Sequence, residues 1–449
     1  MFSINIGIGV SQEDNLIRAA ERAAKKAKEE IKGKSPKLLM FFCTYTYPED
    51  QYRKAQEEIY NIFGSKSIPL MGGTTVGFFA KDKYFFDISL FGKAMGVVLK
   101  AMGKMFKPLK FTGACVVALD SDCLNVGVGL GTNVFKEPSS AGKEAFDSAM
   151  KELKGNSKED ISRLDLINAL LFGPGVDKSG RSFSQKVADS IVSCSKYAVK
   201  IEGGELCGGV SNITTFPGSV FYNGEVYKES VLLTLFTSRL VVGHGVASSV
   251  EMVDRIGLVT KMKDKWTIEE INKKPAAEVI FKVLKKHLKV SKEKFYEAPG
   301  LSILGGFSLV FPDPVGKFLW NNNPAKIIDG KYARMINSGI KEGMILVLAR
   351  GTRETCIEAN ANATKSMIED ADRDLNFVMF FSCSARGIIL GKEYSQEIKQ
   401  IKKVLKNKDI PIFGICSNGE VASYKDGPPT ATAFIISMMG ISNKIKKIK

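Results

Sequence analysis

Two turns near the end of the chain hold the residue types best suited to bind a small charged molecule. Ser382-Cys383-Ser384-Ala385-Arg386-Gly387 follows the apolar run 377–381, and Gly414 leads into Asn418-Gly419-Glu420 behind the run 410–415. Arg386 is a planar fork matched to a carboxylate, while Glu420 suits an ammonium group. Gly387, Gly414 and Gly419 would let backbone amides come close to a ligand. Together they meet the needs of an amino-acid-like zwitterion. The competing reading is that Arg386 and Glu420 pair with each other and close the motif. A second turn of this kind, Gly203-Gly204, adds two further candidates for close backbone approach.

Other chemistry is poorly supplied. Cys383 sits three residues before a cation, which lowers a thiol pKa, so a nucleophilic role is conceivable. Its Cys-x-x-Arg spacing lacks the loop of a thiol phosphatase, and no His stands nearby as a base. A Cys ending a buried strand is more often packing. The chain has two histidines and eight cysteines without any Cys-x-x-Cys pair, so no zinc site can be drawn and no metal is expected. His287 reads as the solvated face of a Lys-rich helix, and His244, between Gly243 and Gly245, as a turn residue. Gly127-Val128-Gly129-Leu130-Gly131 lacks the third glycine of a dinucleotide fingerprint. Like Gly7-Ile8-Gly9, it reads as close packing against a helix. No Walker-type phosphate loop occurs, and no cofactor is expected.

These turns need elements to hold them, and the apolar pattern supplies them in an internal repeat. A first copy runs from the strand-like 4–10 through a helix pattern at about 12–31, the apolar run 37–43, a helix pattern around 50–63, and 68–77. A second follows the same order through 125–132, 140–153, 164–172, 183–195 and 199–208. A third is read as 344–349, 354–369, 377–383, 396–406 and 410–420. Strands alternating with amphipathic helices indicate β-α-β-α-β units, and extra strand-like segments (84–90, 97–101, 219–222, 231–235) suggest hairpins at sheet edges. The expected fold is therefore α/β (α+β), with mixed sheets covered by helices in two domains. The boundary falls near 240–245, giving domains 1–243 (copies about 1–120 and 121–243) and 244–449 (third copy about 343–440). Between copies two and three, 266–288 reads as strand, turn and helix, and 299–323 as turns with short antiparallel strands.

The 449 residues carry 64 Lys and Arg against 48 Asp and Glu, a formal charge of +16. Only 12 of those basic residues are Arg, and the Lys residues lie mostly on helix patterns. Nucleic-acid grooves interleave aromatics with basic residues and read bases with Arg, and neither pattern occurs. No apolar run approaches the roughly 18 residues of a membrane span, and the N-terminus lacks the regions of a signal peptide. The expectation is a cytoplasmic protein with no nucleic-acid or membrane partner.

The stretch 380–387, with Leu390-Gly391, Glu397 (or Glu393), Pro411-Ile412-Phe413-Gly414, Ser417–Val421 and Thr430/Thr432, resembles the C-terminal half of the FIST family. Lys200-Ile201-Glu202-Gly203-Gly204, 220–226, 257–260 and 271–279 resemble its N-terminal half. The resemblance implies a sensory module of signal-transduction proteins that binds a small ligand, with amino acids suggested, rather than an enzyme. Since the two halves use the whole length, it implies a stand-alone sensor that signals to a separate protein. The sequence does not define its oligomeric state. The alternative is a thiol-dependent enzyme acting on a small metabolite through Cys383.

Overall fold

The computed structural model describes residues 4–86, 112–156, 166–205, 207–211, 214–312, 319–407, 409–424 and 427–445. The architecture is α+β with mixed sheets. Three six-stranded sheets share one connectivity. The first runs Asn5–Ser11, Ala114–Asp120, Leu38–Thr44, Leu70–Thr75, Val220–Tyr222, Glu225–Tyr227. The second runs Leu124–Gly131, Val231–Ser238, Leu166–Gly173, Ala198–Glu205, Glu420–Ser423, Pro429–Thr432. The third runs Leu240–Ser248, Ile435–Ile445, Leu375–Cys383, Ile412–Ser417, Gly77–Ala80, Lys83–Phe86. In each, the third and fourth strands are parallel and joined by a helical crossover, while the other neighbours are antiparallel.

The edge hairpins interlock these sheets. Each is supplied by a different stretch of chain from the four strands it extends: 220–227 for the first sheet, 420–432 for the second, 77–86 for the third. The inner faces share one apolar core, in which Phe42 lies 5.3 Å from Phe172 and 5.6 Å from Phe413 between ring centroids. Each outer face is closed by two helices, and on each face one of them, Leu16–Glu30, Pro138–Asn156 or Arg353–Asp370, buries a row of alanines. Close contact there requires glycine. A Cβ on Gly9 would lie 1.8 Å from the Ala23 carbonyl oxygen, one on Gly129 2.0 Å from that of Ala145, and one on Gly245 2.0 Å from that of Ala363.

Two assignments made from sequence are corrected here. The run 344–349 is not the first strand of the third sheet: Ile345–Gly351 belongs to a separate antiparallel sheet built from residues 250–351. The matching place in the third sheet is held by Leu240–Ser248, so His244 is a strand residue opposite Met439 rather than part of a turn. The 243/244 boundary falls within this strand. The segment 97–101 and part of 84–90 lie outside the described residues. In the separate sheet, Thr267–Ile271 and Lys274–Pro275 lead into the helix Ala276–His287, which packs on it around Ile280 and Leu284.

Candidate functional site

Leu375–Cys383 and Ile412–Ser417 are parallel neighbours with Cys383 opposite Ser417, so both strands end at the same edge. The turns that follow must then meet, and Ser384 Oγ lies 3.2 Å from Asn418 Oδ1. A cavity of about 490 Å³ opens over them. Cys383, Ser384, Asn418 and Gly419 form its floor, and Thr432–Phe434 one wall. Glu205 reaches it from the second sheet and Ser182 from the turn before the helix Ser184–Cys194, while Ala298–Gly300, between two short helices, and Asn321, Asn323 and Pro324–Lys326, from the separate antiparallel sheet region, line the other side. Three parts of the fold thus converge on one hollow, the arrangement in which ligand sites most often form.

Its lining is largely apolar, from residues such as Val176, Ile303, Ile336, Ile388 and Phe434, with a few polar groups set among them. The Glu205 carboxyl is buried and accepts hydrogen bonds from Ser182 Oγ and, at 2.7 Å, from Ser184 Oγ. Burial pushes its pKa up, and the two serine hydroxyls offset part of that rise. Its backbone N–H donates to Gly419 O at 2.9 Å, and the Asn418 N–H donates to Glu205 O at 3.2 Å, tying the second sheet to the floor. The Asn321 N–H donates to Thr432 Oγ1 at 3.0 Å. Two sheltered amide atoms here have no partner among the described residues, Nδ2 of Asn418 and Oδ1 of Asn321. Each unmade bond of this kind costs about 1–3 kcal/mol.

Of the nine residues singled out from sequence, Cys383, Asn418 and Gly419 line this cavity. Arg386 does not. It is fully buried behind the turn, with Nε donating to Glu397 Oε1 at 3.0 Å and Nη2 to Glu397 Oε2 at 2.9 Å. Its remaining donors go to Ser249 Oγ, Asn360 Oδ1 and the Cys356 carbonyl. Glu420 is also buried, beside Gly204 and one residue before the Val421–Gly203 pair, and accepts from Ser417 Oγ at 2.8 Å. Burial holds its carboxyl well above the usual range, despite the Ser417 hydrogen bond and the Arg386 charge. Arg386 and Glu420 thus engage different partners.

The remaining glycines are close-packing positions. A Cβ would lie 2.0 Å from Leu171 O at Gly203, 2.5 Å from Ser417 Cβ at Gly204, 2.7 Å from the Phe86 ring at Gly387, and 2.3 Å from the Phe380 ring at Gly414. The Cys383 thiol is pushed far up, first by burial and then by the neighbouring Glu420 carboxyl, which keeps it protonated.

Sequence reasoning missed Glu205, Ser182 and Asn321. One signal was present: Glu205 follows Gly203-Gly204 as Glu420 follows Gly419, marking both as acidic residues just beyond glycine turns. It also missed a second buried cluster. His244 Nε2 lies 2.9 Å from Asn168 Oδ1, and His244 Nδ1 lies 3.3 Å from Glu202 Oε1. Beside it a smaller cavity is lined by Lys200, Asp370 and Tyr424. Among the described residues, no group of three or more His, Cys, Asp or Glu could hold a metal ion, and no helix is long and apolar enough to cross a membrane.

The FIST N domain matches residues 37–274, and the FIST C domain matches residues 281–423. No curated protein matches the chain. Among solved structures, a cyanuric acid hydrolase is 9% identical over 98% of this chain and 100% of its own, with a TM-score of 0.30. The enzyme of that name from A. caulinodans is 9% identical over 53% of this chain and 71% of its own, with a TM-score of 0.26. PurLQS from Thermotoga maritima is 10% identical over 100% of this chain and 74% of its own, with a TM-score of 0.22. Likenesses this distant carry no functional argument.

Proposed function

The chain belongs to the FIST family, whose domains are sensory domains of signal-transduction proteins, and from that premise we propose that the cavity over Cys383–Ala385 and Asn418–Gly419 receives the ligand it senses. The ligand is a small polar metabolite of about amino-acid size, and its arrival is passed to a separate signalling protein. The observation that carries this reading is the convergence of three parts of the fold on one hollow. A molecule held there touches the third sheet, Glu205 of the second, and the separate antiparallel sheet region. Contacts that differ between open and closed arrangements of these parts would let the ligand shift their populations.

The shared connectivity of the three sheets supports reading the chain as three concatenated units, with residues 250–351 inserted in the third. The seven cysteines whose side chains are described are all unpaired, which supports a reducing, cytoplasmic setting. The rival, a thiol enzyme, draws support from Cys383 at the cavity floor, but a protonated buried thiol is a poor nucleophile.

The test is thermal unfolding against a panel of small metabolites, repeated with the half-buried lining residue Ala298 replaced by Trp. A ligand at about 100 times its dissociation constant adds about 2.7 kcal/mol to native stability. Stabilisation that is selective in the parent and lost in Ala298→Trp supports the site. Stabilisation unchanged by the bulky side chain refutes it.

A further inference from the structure

The glycine turn at the cavity floor leaves room in front of two hydrogen-bond acceptors. A Cβ on Gly419 would stand 3.3 Å from Glu205 Oε2 and 3.3 Å from the Thr432 carbonyl oxygen, with nothing closer beyond its own turn among the described residues. Gly419, Glu205 and Thr432 all line the cavity, so a donor seated over Gly419 has both oxygens within reach. Of the two Glu205 oxygens, Oε1 takes the Ser182 and Ser184 hydroxyls, and Oε2 takes no hydrogen bond from the described residues. Glu205 is 6% exposed, and Oε2 keeps accessible surface beside Gly419.

This carboxyl has no counter-charge. Among the described lining residues the one cation, Lys326, is on the exposed rim, and Arg386 behind the floor is committed to Glu397. Burial raises the Glu205 pKa with no positive neighbour to oppose it. Resting on the sensor reading of this cavity, we propose that its ligand is an amine without a carboxylate, its cationic nitrogen over Gly419 and its small apolar body against Ile303, Ile388 and Phe434. An ammonium group has donors for both Glu205 Oε2 and the Thr432 carbonyl, and a cation there favours the charged carboxylate. A carboxylate carried beside it, as in an α-amino acid, would be buried near Glu205 with no cation of its own, which is costly. An alcohol has one hydrogen to donate and leaves the carboxyl without a counter-charge.

The experiment uses matched probes on the full chain: isoamylamine with L-leucine and isoamyl alcohol, phenethylamine with L-phenylalanine and phenethyl alcohol, and tryptamine with L-tryptophan and tryptophol. At least one amine is expected to raise the unfolding temperature while its amino acid and its alcohol do not. Glu205→Gln, which keeps the shape but removes the charge, is expected to weaken that amine about tenfold or more in titration calorimetry. Gly419→Ala, whose methyl fills the space before both oxygens, is expected to weaken it by as much. Unliganded melting curves establish that each variant folds. No shift by any amine, equal or greater shifts by the amino acids or alcohols, or unchanged affinity in either folded variant would each overturn the amine class. If amino acids or alcohols bind instead and Ala298→Trp abolishes that binding, the cavity is the sensor site and only the amine class falls. If binding survives Ala298→Trp, the sensor reading falls with it.

Discussion

Arg386 and Glu397 form a bidentate ion pair, both side chains wholly buried and 2.9 Å apart at Nη2 and Oε2. Glu397 opens the helix Gln396–Leu405 on the outer face of the third sheet, and Arg386 lies in the seven-residue helix behind the cavity floor. The pair therefore fixes the turn that carries Cys383 and Ser384. Removing one partner strands the other charge in a dry interior, at a cost of about 3–5 kcal/mol. Glu397→Ala and Arg386→Ala are each expected to lower the urea midpoint by that equivalent. The apolar pair Arg386→Met with Glu397→Leu should recover most of it. A double variant no more stable than either single one would contradict this account.

The Cys383 thiol should be chemically quiet. It is fully buried and held protonated by burial and by Glu420, whereas Cys194 is exposed. Iodoacetamide at pH 7.5, followed by peptide mass spectrometry, should label Cys194 within minutes and leave Cys383 unmodified until denaturant is added. Labelling of Cys383 at a rate comparable to Cys194 would revive the thiol-enzyme alternative.

The meeting of the 383–387 and 418–420 turns was legible in the sequence, because consecutive strands of one parallel pair end at the same edge. The direction of Arg386 was not. Its partner stands eleven residues on in the next helix, and an arginine beside glycines looks the same whether it faces a ligand or a buried glutamate. The first strand of the third sheet was hidden for a related reason. Gly243-His244-Gly245 places a polar residue where Ile8 and Val128 sit in the other sheets, and residues 249–352 separate it from its covering helix. The exchange of edge hairpins left no local trace, since a hairpin has the same pattern whichever sheet it extends.

Those glycine pairs yield a sharp stability contrast. At Gly9 and Gly245 a Cβ would fall within 2.0 Å of a helix carbonyl oxygen, so helix and strand must separate. Gly9→Ala and Gly245→Ala should each cost about 1–3 kcal/mol or more by overpacking. Gly155 is exposed near the end of the helix Pro138–Asn156, and nothing lies within 4 Å of its Cβ position. Gly155→Ala should instead stabilise by up to about 1 kcal/mol. Chemical denaturation of the three variants decides the matter, and equal effects at Gly155 and Gly9 would sink the packing argument.

Glu420 gives the protein a pH dependence whose sign can be worked out. Its carboxyl titrates near 4.5 when unfolded and well above that when folded, chiefly because of burial, with Glu205 adding to the rise and Ser417 and Arg386 opposing it. The native state therefore holds the proton more tightly. Stability falls as pH rises from about 4.5 through the folded pKa, because folding must increasingly bury a charge or take up a proton. Glu202 and Glu205 act in the same direction. Glu420→Gln removes one of these contributions, so its stability relative to the parent should improve steadily between pH 5 and about pH 8. The measurement is the urea midpoint of both proteins across that range. A gap between them that stays constant with pH would mean that Glu420 does not titrate above its unfolded value.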